Sequence, residues 1–302
     1  MMERKKLYGP TGENRMDICF VILHYKTYID TIECVKSIIE LEGLKKIVIV
    51  DNNSNDGSFE IIRDKFIKYD NIFFIKNKKN MGFASGNNIG YDFAKNKLNS
   101  DIIIITNNDV IYDDKLFIPK LIEDFNKTKF YIAGPDIESL IDGKHQNPVK
   151  NQNYTYIKIE KELFRYRVLL FLSKVGLYNL FRKLNLKKQN FDLGSGIDYI
   201  NKVKKNVVLH GSTVIFSSKF IQQEAFAFRP GTFLYLEENI LFDYCINKSY
   251  TTFYFPDLHL FHKEDSSTNE LTFNEKKGKR EFIFKNMIKS LKIYKKIITQ
   301  RK

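Results

Sequence analysis

The chain predicts an α/β fold with a mostly parallel central sheet, and three observations carry that prediction. Short apolar runs alternate with helically periodic segments over the first 135 residues. Turn-forming Asn, Asp, Ser and Gly punctuate the junctions. The 302 residues are 43% hydrophobic and 28% charged, the balance of a chain that buries a large core. Alternation of this kind places helices on both faces of a parallel sheet.

The elements follow in order. Residues 18–23 form an apolar run, read as a buried strand. Helical spacing of Ile32, Val35, Ile38 and Ile39 predicts a helix over 28–41. A second strand is expected at 46–50 and a helix at 59–69, with Ser54 or Asp56 as its N-cap. A strand at 72–75, a helix at 86–97, an isoleucine-rich strand at 101–106 and a helix at 115–125 complete the regular part. After Pro135 the rhythm breaks. Residues 143–153 read as loop, 161–184 as a long apolar-and-basic segment, and Gly194 and Gly196 as a second loop. A strand at 207–217, a helix at 236–247, strands at 251–255 and 258–261, and a basic amphipathic helix from Phe273 onward follow.

Charge and cysteine usage exclude some classes. The formal net charge is +13, which suits nucleic acid, anionic lipid or small anionic ligands. The lysines are spread along the chain rather than stacked in one block. Cys19, Cys34 and Cys245 have no metal-ligand spacing, so a disulfide framework is not expected and a reducing, cytoplasmic location is. The first fifteen residues lack an apolar signal core, and no run reaches the ~18–20 apolar residues that span a bilayer. The expectation is a chain neither exported by a signal peptide nor membrane-spanning.

Ligands of open α/β sheets bind beyond the carboxyl ends of the parallel strands. His24, Tyr25 and Lys26 follow the first strand, and Asp51, Asn53 and their neighbours follow the second. The stretch holding Gly82, Phe83, Gly86 and Asn87 follows the third, and Asn107, Asn108 and Asp109 follow the fourth. Four strand ends rich in carboxylate, amide and glycine converge on one edge. No G-x-G-x-x-G follows the first strand and no P-loop lysine signature occurs, which argues against a dinucleotide-binding Rossmann protein and a P-loop enzyme. A sugar-phosphate nucleotidyltransferase would want a glycine-rich basic loop after the first strand, where the chain has His24-Tyr25-Lys26-Thr27. A non-enzymatic basic binding protein, for nucleic acid or carbohydrate, would leave the acidic strand ends without a purpose.

The runs 48–57 (VIVDNNSNDG), 80–90 (NMGFASGNNIG) and 103–110 (IIITNNDV) resemble, in order and spacing, the signatures of family 2 glycosyltransferases of the GT-A fold. Residues 211–216 (GSTVIF) and 233–241 (FLYLEENIL) look like that family's acceptor-side segments, and the likeness is greatest to its rhamnosyltransferase-like branch. The resemblance implies a metal-dependent, inverting transfer of a sugar from a nucleotide-sugar donor to a polysaccharide or lipid-linked acceptor in bacterial surface glycan synthesis. It implies a Rossmann-like nucleotide-sugar-binding half at 17–135, an insertion at 150–205 and an acceptor half at 206–272. A 1–16 extension and a basic 273–302 helix flank them. Asp51 would meet the nucleobase. Tyr25 and the 82–87 stretch would line base and ribose, and His24, Asn53, Asn107 and Asn108 would complete the donor site. Asn107-Asn108-Asp109 stands where the family has D-x-D, so Asp109, with His262, would hold Mn²⁺ or Mg²⁺. Glu238 stands at the catalytic base, usually Asp, beside Glu237. His210, Gly211, Ser212 and Arg229 are the acceptor-side candidates.

The chemistry asks for these residue types. A hard divalent cation on one or two oxygen ligands neutralises a departing diphosphate. The acceptor hydroxyl needs a carboxylate base within hydrogen-bond reach. In 161–184, Lys161, Arg165, Arg167, Lys174, Arg182 and Lys183 interleave with Phe164, Leu169, Phe171 and Leu180, a pattern suited to peripheral contact with an anionic membrane.

Overall fold

The computed structural model describes residues 16–150, 154–185, 196–264 and 276–299. The expected extension up to residue 15, the loop at Gly194 and the start of the basic tail lie outside them.

The described residues form strands β1 (Ile18–His24), β2 (Lys45–Asp51), β3 (Ile72–Lys76), β4 (Ile102–Asn107), β5 (Val110–Ile111), β6 (Ile132–Ser139), β7 (Lys204–Lys205), β8 (Thr213–Ser217) and β9 (Thr252–His262). The helices are α1 (Tyr28–Ile39), α2 (Ser58–Phe66), α3 (Gly82–Asn96), α4 (Phe117–Thr128), α5 (Tyr156–Lys174), α6 (Tyr178–Asn185), α7 (Ser218–Gln223), α8 (Glu237–Asn247) and α9 (Lys276–Thr299). The sheet order is β3-β2-β1-β4-β8-β6-β9-β5, with β7 on β9. β3, β2, β1 and β4 run parallel, and so do β6 and β9. β8 runs antiparallel between β4 and β6, and β5 and β7 are antiparallel to β9. The sheet is therefore mixed, though mostly parallel.

β1 is buried on both faces because successive side chains point to opposite sides. Ile18, Phe20 and Ile22 join one core with residues of α1, α2 and α4. Cys19 and Val21 join a second with residues of α3, α7 and α8. Gly86 and Gly90 lie one helical turn apart on the sheet-facing side of α3. A Cβ at Gly90 would sit 2.3 Å from a Val21 methyl, and one at Gly86 2.6 Å from a Leu23 methyl. These glycines let the helix lie close against β1, and so fix where its amino end falls. A third cluster joins α5 and α9 to Leu236 and Ile240 beside the start of α8.

Several sequence expectations change, among them the strand expected at 207–217, of which β8 keeps only 213–217. α3 begins at Gly82, four residues early, so the supposed loop is the helix's first turn. β6 occupies 132–139, running past Pro135, after which the rhythm was expected to break; its register with β9 shifts after Pro135. The two late strands are one, β9, spanning residues 252–262. Among the described residues no helix is long and apolar enough to cross a membrane.

Candidate active site

Register alone brings the first residues together. His24 ends β1 opposite Asp51 on β2, and Leu23 pairs with Asn107 on β4. Asp51 is fully buried. Its Oδ1 accepts from the Ser54 amide (3.1 Å) and hydroxyl (2.6 Å), a tight Asx turn. Its Oδ2 is buried with no hydrogen-bond partner, a costly state for a carboxylate oxygen. Asn53 follows in a left-handed conformation with φ 65°. Tyr25 is half-buried, with Lys26 5.4 Å from its ring centre.

His24 is occupied elsewhere. Nδ1 bonds Thr31 Oγ1 (2.8 Å) and Nε2 bonds Ser58 Oγ (2.9 Å), and burial pushes its pKa down to about 4. It pins α1 to α2 as a neutral ring and has no nitrogen left for a donor. Asn108 is likewise consumed, donating to Thr27 Oγ1 (2.7 Å) and Thr31 Oγ1 (3.0 Å) at the start of α1. Phe83 packs in the core, its ring 5.1 Å from Phe228, and Gly86 faces Leu23. The geometry thus gives these four expected donor residues scaffold positions.

Gly82 is needed where it stands. Its φ is +75°, and a Cβ there would lie 2.4 Å from the Phe233 carbonyl. The neighbouring Phe83 amide donates to that carbonyl (2.7 Å), which ties α3 to the segment leading into α8. Asn87 is buried with both amide atoms unpartnered.

Asp109 sits in the turn between β4 and β5, and the β5–β9 ladder pairs Val110 with His262. Asp109 Oδ1 and His262 Nε2 are 3.2 Å apart, both buried, yet neither has a partner with hydrogen-bond geometry. His262 Nδ1 lies 2.7 Å from Gln146 Oε1, and Gln146 Nε2 donates to Glu264 Oε1 (2.8 Å). Glu264 fixes the amide's orientation, so Gln146 Oε1 accepts from the Nδ1–H of His262. The Nε2 lone pair then faces a carboxylate oxygen. That arrangement suits a shared cation, with the second ring nitrogen anchored as metal-binding histidines usually are. Among the described residues no group of three or more His, Cys, Asp and Glu surrounds one point, so exogenous oxygens would complete such a shell. Burial acts to raise the Asp109 carboxyl, but the neighbouring His262 outweighs it and holds the carboxyl below the usual range.

The loop 210–212 separates this pair from the glutamates. The Asn107 amide donates to the Ser212 carbonyl (2.7 Å). His210 Nδ1 accepts from the Ser212 amide (3.2 Å), and its ring lies edge-on to His262 at 5.7 Å. Burial, aided by His262, pushes the His210 pKa down to about 3, so the ring is neutral. On the other side, a Cβ at Gly211 would lie 2.6 Å from Glu238 Oε1. Only glycine admits that carboxylate so close to the backbone.

Glu237 and Glu238 open α8 after two residues in the left-handed region, Tyr235 (φ 79°) and Leu236 (φ 70°). Such strain in non-glycine residues collects at functional sites. Glu237 is buried with Oε1 unpartnered, and burial, then repulsion from Glu238, raises its pKa to about 8. Burial also raises Glu238, opposed by hydrogen bonds from its own and the Gly211 amide.

Asp109, His262, His210, Ser212, Gly211 and Glu238 thus form one contiguous set. Arg229 is drawn to another, its guanidinium 4.5 Å above the Tyr244 ring. The sequence reading missed Gln146 and Glu264, which no spacing links to His262, and gave no role to Asn52. The Asn52 amide accepts from the Met81 amide (2.9 Å) and donates to Asn80 Oδ1 (3.0 Å), clamping the end of β2 to the start of α3. Its place beside Asp51 was the available signal.

A mostly parallel mixed sheet with carboxylates, a histidine pair and left-handed turns at its strand ends defines a GT-A glycosyltransferase architecture. Residues 19–188 match the model of glycosyl transferase family 2, and the chain belongs to that family. It is 28% identical over 122 residues to the low-salt glycan biosynthesis hexosyltransferase Agl10 of Haloferax volcanii, covering 40% of this chain and 36% of that relative. The chain therefore spans about a third of that relative's length. Its fold is similar to S. aureus TarS 1-349 in complex with UDP-GlcNAc, with TM-score 0.52 and 11% identity, covering 83% of this chain and 59% of that one. It is also similar to the mannosyltransferase PcManGT from Pyrobaculum calidifontis in complex with GDP-Man and Mn²⁺, with TM-score 0.52 and 11% identity, covering 95% and 74%.

Proposed function

We propose that this glycosyltransferase is inverting and metal-dependent. In this reading it moves a hexosyl group from a nucleotide-sugar donor to a polysaccharide or lipid-linked oligosaccharide acceptor in bacterial surface glycan synthesis. It works in the cytoplasm, peripherally at the inner membrane face. The observation that carries the reading is the flanking of the 210–212 loop by the unpartnered Asp109 Oδ1 and His262 Nε2 on one side and by Glu238 on the other. The proposed division is a nucleotide-sugar-binding half at 17–135 and an acceptor half at 206–272.

In this reading Asp51 Oδ2 takes a nucleobase donor group. Tyr25, Asn53, Gly82, Asn87 and Asn107 border the base, ribose and phosphates. Asp109 and His262 hold Mn²⁺ or Mg²⁺, which would neutralise charge on the leaving diphosphate. Glu238 is the base. It lies against the Gly211 backbone, and its raised pKa brings it nearer neutrality, where general bases are most effective. It takes the acceptor hydroxyl proton as that oxygen bonds to the anomeric carbon and the sugar–phosphate bond breaks on the opposite side. One base opposite one leaving group gives inversion. Glu237, protonated at neutral pH, is the uncharged neighbour that leaves Glu238 the only anion of the pair. His210 and Ser212 border the acceptor.

The test is a thermal-shift screen of nucleoside diphosphates and nucleotide sugars with and without Mn²⁺. It is followed by an assay of nucleoside diphosphate release and NMR of the product's anomeric configuration. Stabilisation by at least one nucleotide only with the metal is expected. Failure of every nucleotide to stabilise the protein in the presence of Mn²⁺ overturns the reading, and a product that retains configuration overturns the single-base mechanism.

A further inference from the structure

α5 is apolar on two opposite faces. One carries Ile159, Leu163 and Tyr166 into the cluster shared with α9 and Leu236. The other carries Ile157, Phe164 and Phe171, seven residues apart and 67%, 71% and 63% exposed. Leu177, in the turn after α5, and Leu180 of α6 are also half or more exposed. Single exposed apolar residues are ordinary, but a run of this length on one face marks a docking surface.

α9 supplies the charge. Lys285, Lys289, Lys292 and Lys296 are all exposed, and their spacing puts them on one stripe of the helix. The stripe lies away from Phe284, Met287, Leu291 and Tyr294, which face the shared cluster. Among the described residues no acid pairs with these four lysines, nor with the exposed Lys161, Arg167 and Lys174 of α5. The acids of the layer are engaged inside it: Glu160 with Lys295 (2.5 Å), Glu162 with Arg165 (2.6 Å) and Glu281 with Ser173 (3.2 Å).

α5, α6 and α9 together hold sixteen Lys and Arg against three Glu, a balance equal to the +13 of the entire chain. Lysines that look scattered in sequence are gathered by folding into one layer, and the rest of the molecule is neutral in sum.

We infer that the outer face of the α5–α6–α9 layer is a docking surface for an anionic lipid bilayer. On α5 itself the spacing puts the exposed Lys161, Arg167 and Lys174 to either side of the Phe164–Phe171 ridge, and an apolar ridge flanked by cations matches the boundary between headgroups and acyl chains, where apolar burial and attraction to anionic lipid act together. Nucleic acid would meet the charge but leave the phenylalanines in water. The inner side of the same layer braces the glutamate-bearing turn. Ser290 Oγ donates to the Leu234 carbonyl (3.0 Å) and the Tyr294 hydroxyl to the Asn239 carbonyl (3.4 Å). A bilayer on the outer face would thus hold α8 at a fixed height above the lipid. The inference deepens the proposed lipid-linked acceptor, but binding itself does not require the transferase reading.

The experiment is flotation of the purified full chain with phosphatidylcholine vesicles, with and without phosphatidylglycerol. Preferential binding to the anionic vesicles is expected, weakening as salt rises. Phe164→Ser with Phe171→Ser should lose roughly tenfold or more of the bound fraction. Lys289→Gln with Lys292→Gln should erase the preference for anionic lipid while leaving neutral vesicles unaffected. All four positions are exposed, and unchanged thermal unfolding of the variants checks that they fold. Nucleotide-dependent stabilisation, read on the same samples, separates failure here from failure of the transferase reading. The inference is overturned by equal flotation with neutral and anionic vesicles, or by binding that neither pair of substitutions alters. It is also overturned if light scattering gives twice 35.7 kDa for the wild type and one copy for the phenylalanine variant, since the face is then a self-interface.

Discussion

Two acidic centres flank the 210–212 loop, and burial treats them in opposite ways. Asp109 and Glu237 are both buried, and dehydration disfavours the charge of each. Asp109 has His262 at 3.2 Å and stays below the usual carboxylate range, whereas Glu237 faces the Glu238 carboxyl, is only weakly opposed by its own amide and Thr232, and rises to about 8. One centre keeps its negative charge, as the proposed cation site requires, and the other gives it up, so the partner, not the residue type, sets the charge. Glu238 lies between these extremes, raised by burial but held back by backbone amides.

The largest effect that sharpens this contrast is expected from Glu238→Gln. Removing the base should cut kcat by roughly 10³–10⁴-fold while nucleotide affinity stays near wild type. An equal loss in Glu237→Gln, with Glu238→Gln nearly normal, would reverse the assignment. In the wild type, the rate should rise with pH as Glu238 loses its proton, with a midpoint above the ordinary carboxylate range. The pH profile of Glu238→Gln should lack that limb.

Asp109→Asn should come next, with turnover down on the order of 10²–10³-fold and Mn²⁺ binding by calorimetry abolished. Undiminished wild-type turnover in excess chelator would break the metal side of the comparison. Gln146→Met keeps the bulk of the side chain but removes the acceptor that orients His262. Mn²⁺ affinity should fall about 10–100-fold with little change in metal-free unfolding temperature.

The smallest effect concerns stability. Glu237 has a folded pKa above its unfolded value, so the folded state binds more protons between roughly pH 4.5 and 8, and stability declines as pH rises through that window. Glu237→Gln lacks this slope. Its melting temperature should exceed the wild-type value by a few °C at about pH 8 and converge with it near pH 5. Parallel melting curves across that range would show that Glu237 is not held protonated.

Much of the first half was legible before folding. The alternation of apolar runs and helical periodicity placed β1 to β4 within a residue or two, because both faces of a parallel sheet are buried and leave unbroken hydrophobic strands. The later strands were harder to read. β6 carries Gly134 and Pro135, and β5 is two residues hydrogen-bonded to β9. Such short or interrupted strands exist through their neighbours and leave little local signature.

The site divides in the same way. Sequence determined which chemistry collects at the strand ends, since Asp51, Asn107 and Asp109 follow strands whose positions periodicity fixes. It also pointed to the family, through the motifs at 48–57, 80–90 and 103–110, all within the matched residues 19–188. Tertiary structure decided which of those groups remain free to act: His24 and Asn108 are consumed by α1 and α2, while His262 reaches Asp109 through a strand pairing 153 residues away in sequence. It also decided where the charge sits, packing dispersed lysines of α5, α6 and α9 into one layer. Composition and spacing record what a residue is. Hydrogen-bond partners and burial depend on chain crossings, and only the folded chain supplies those.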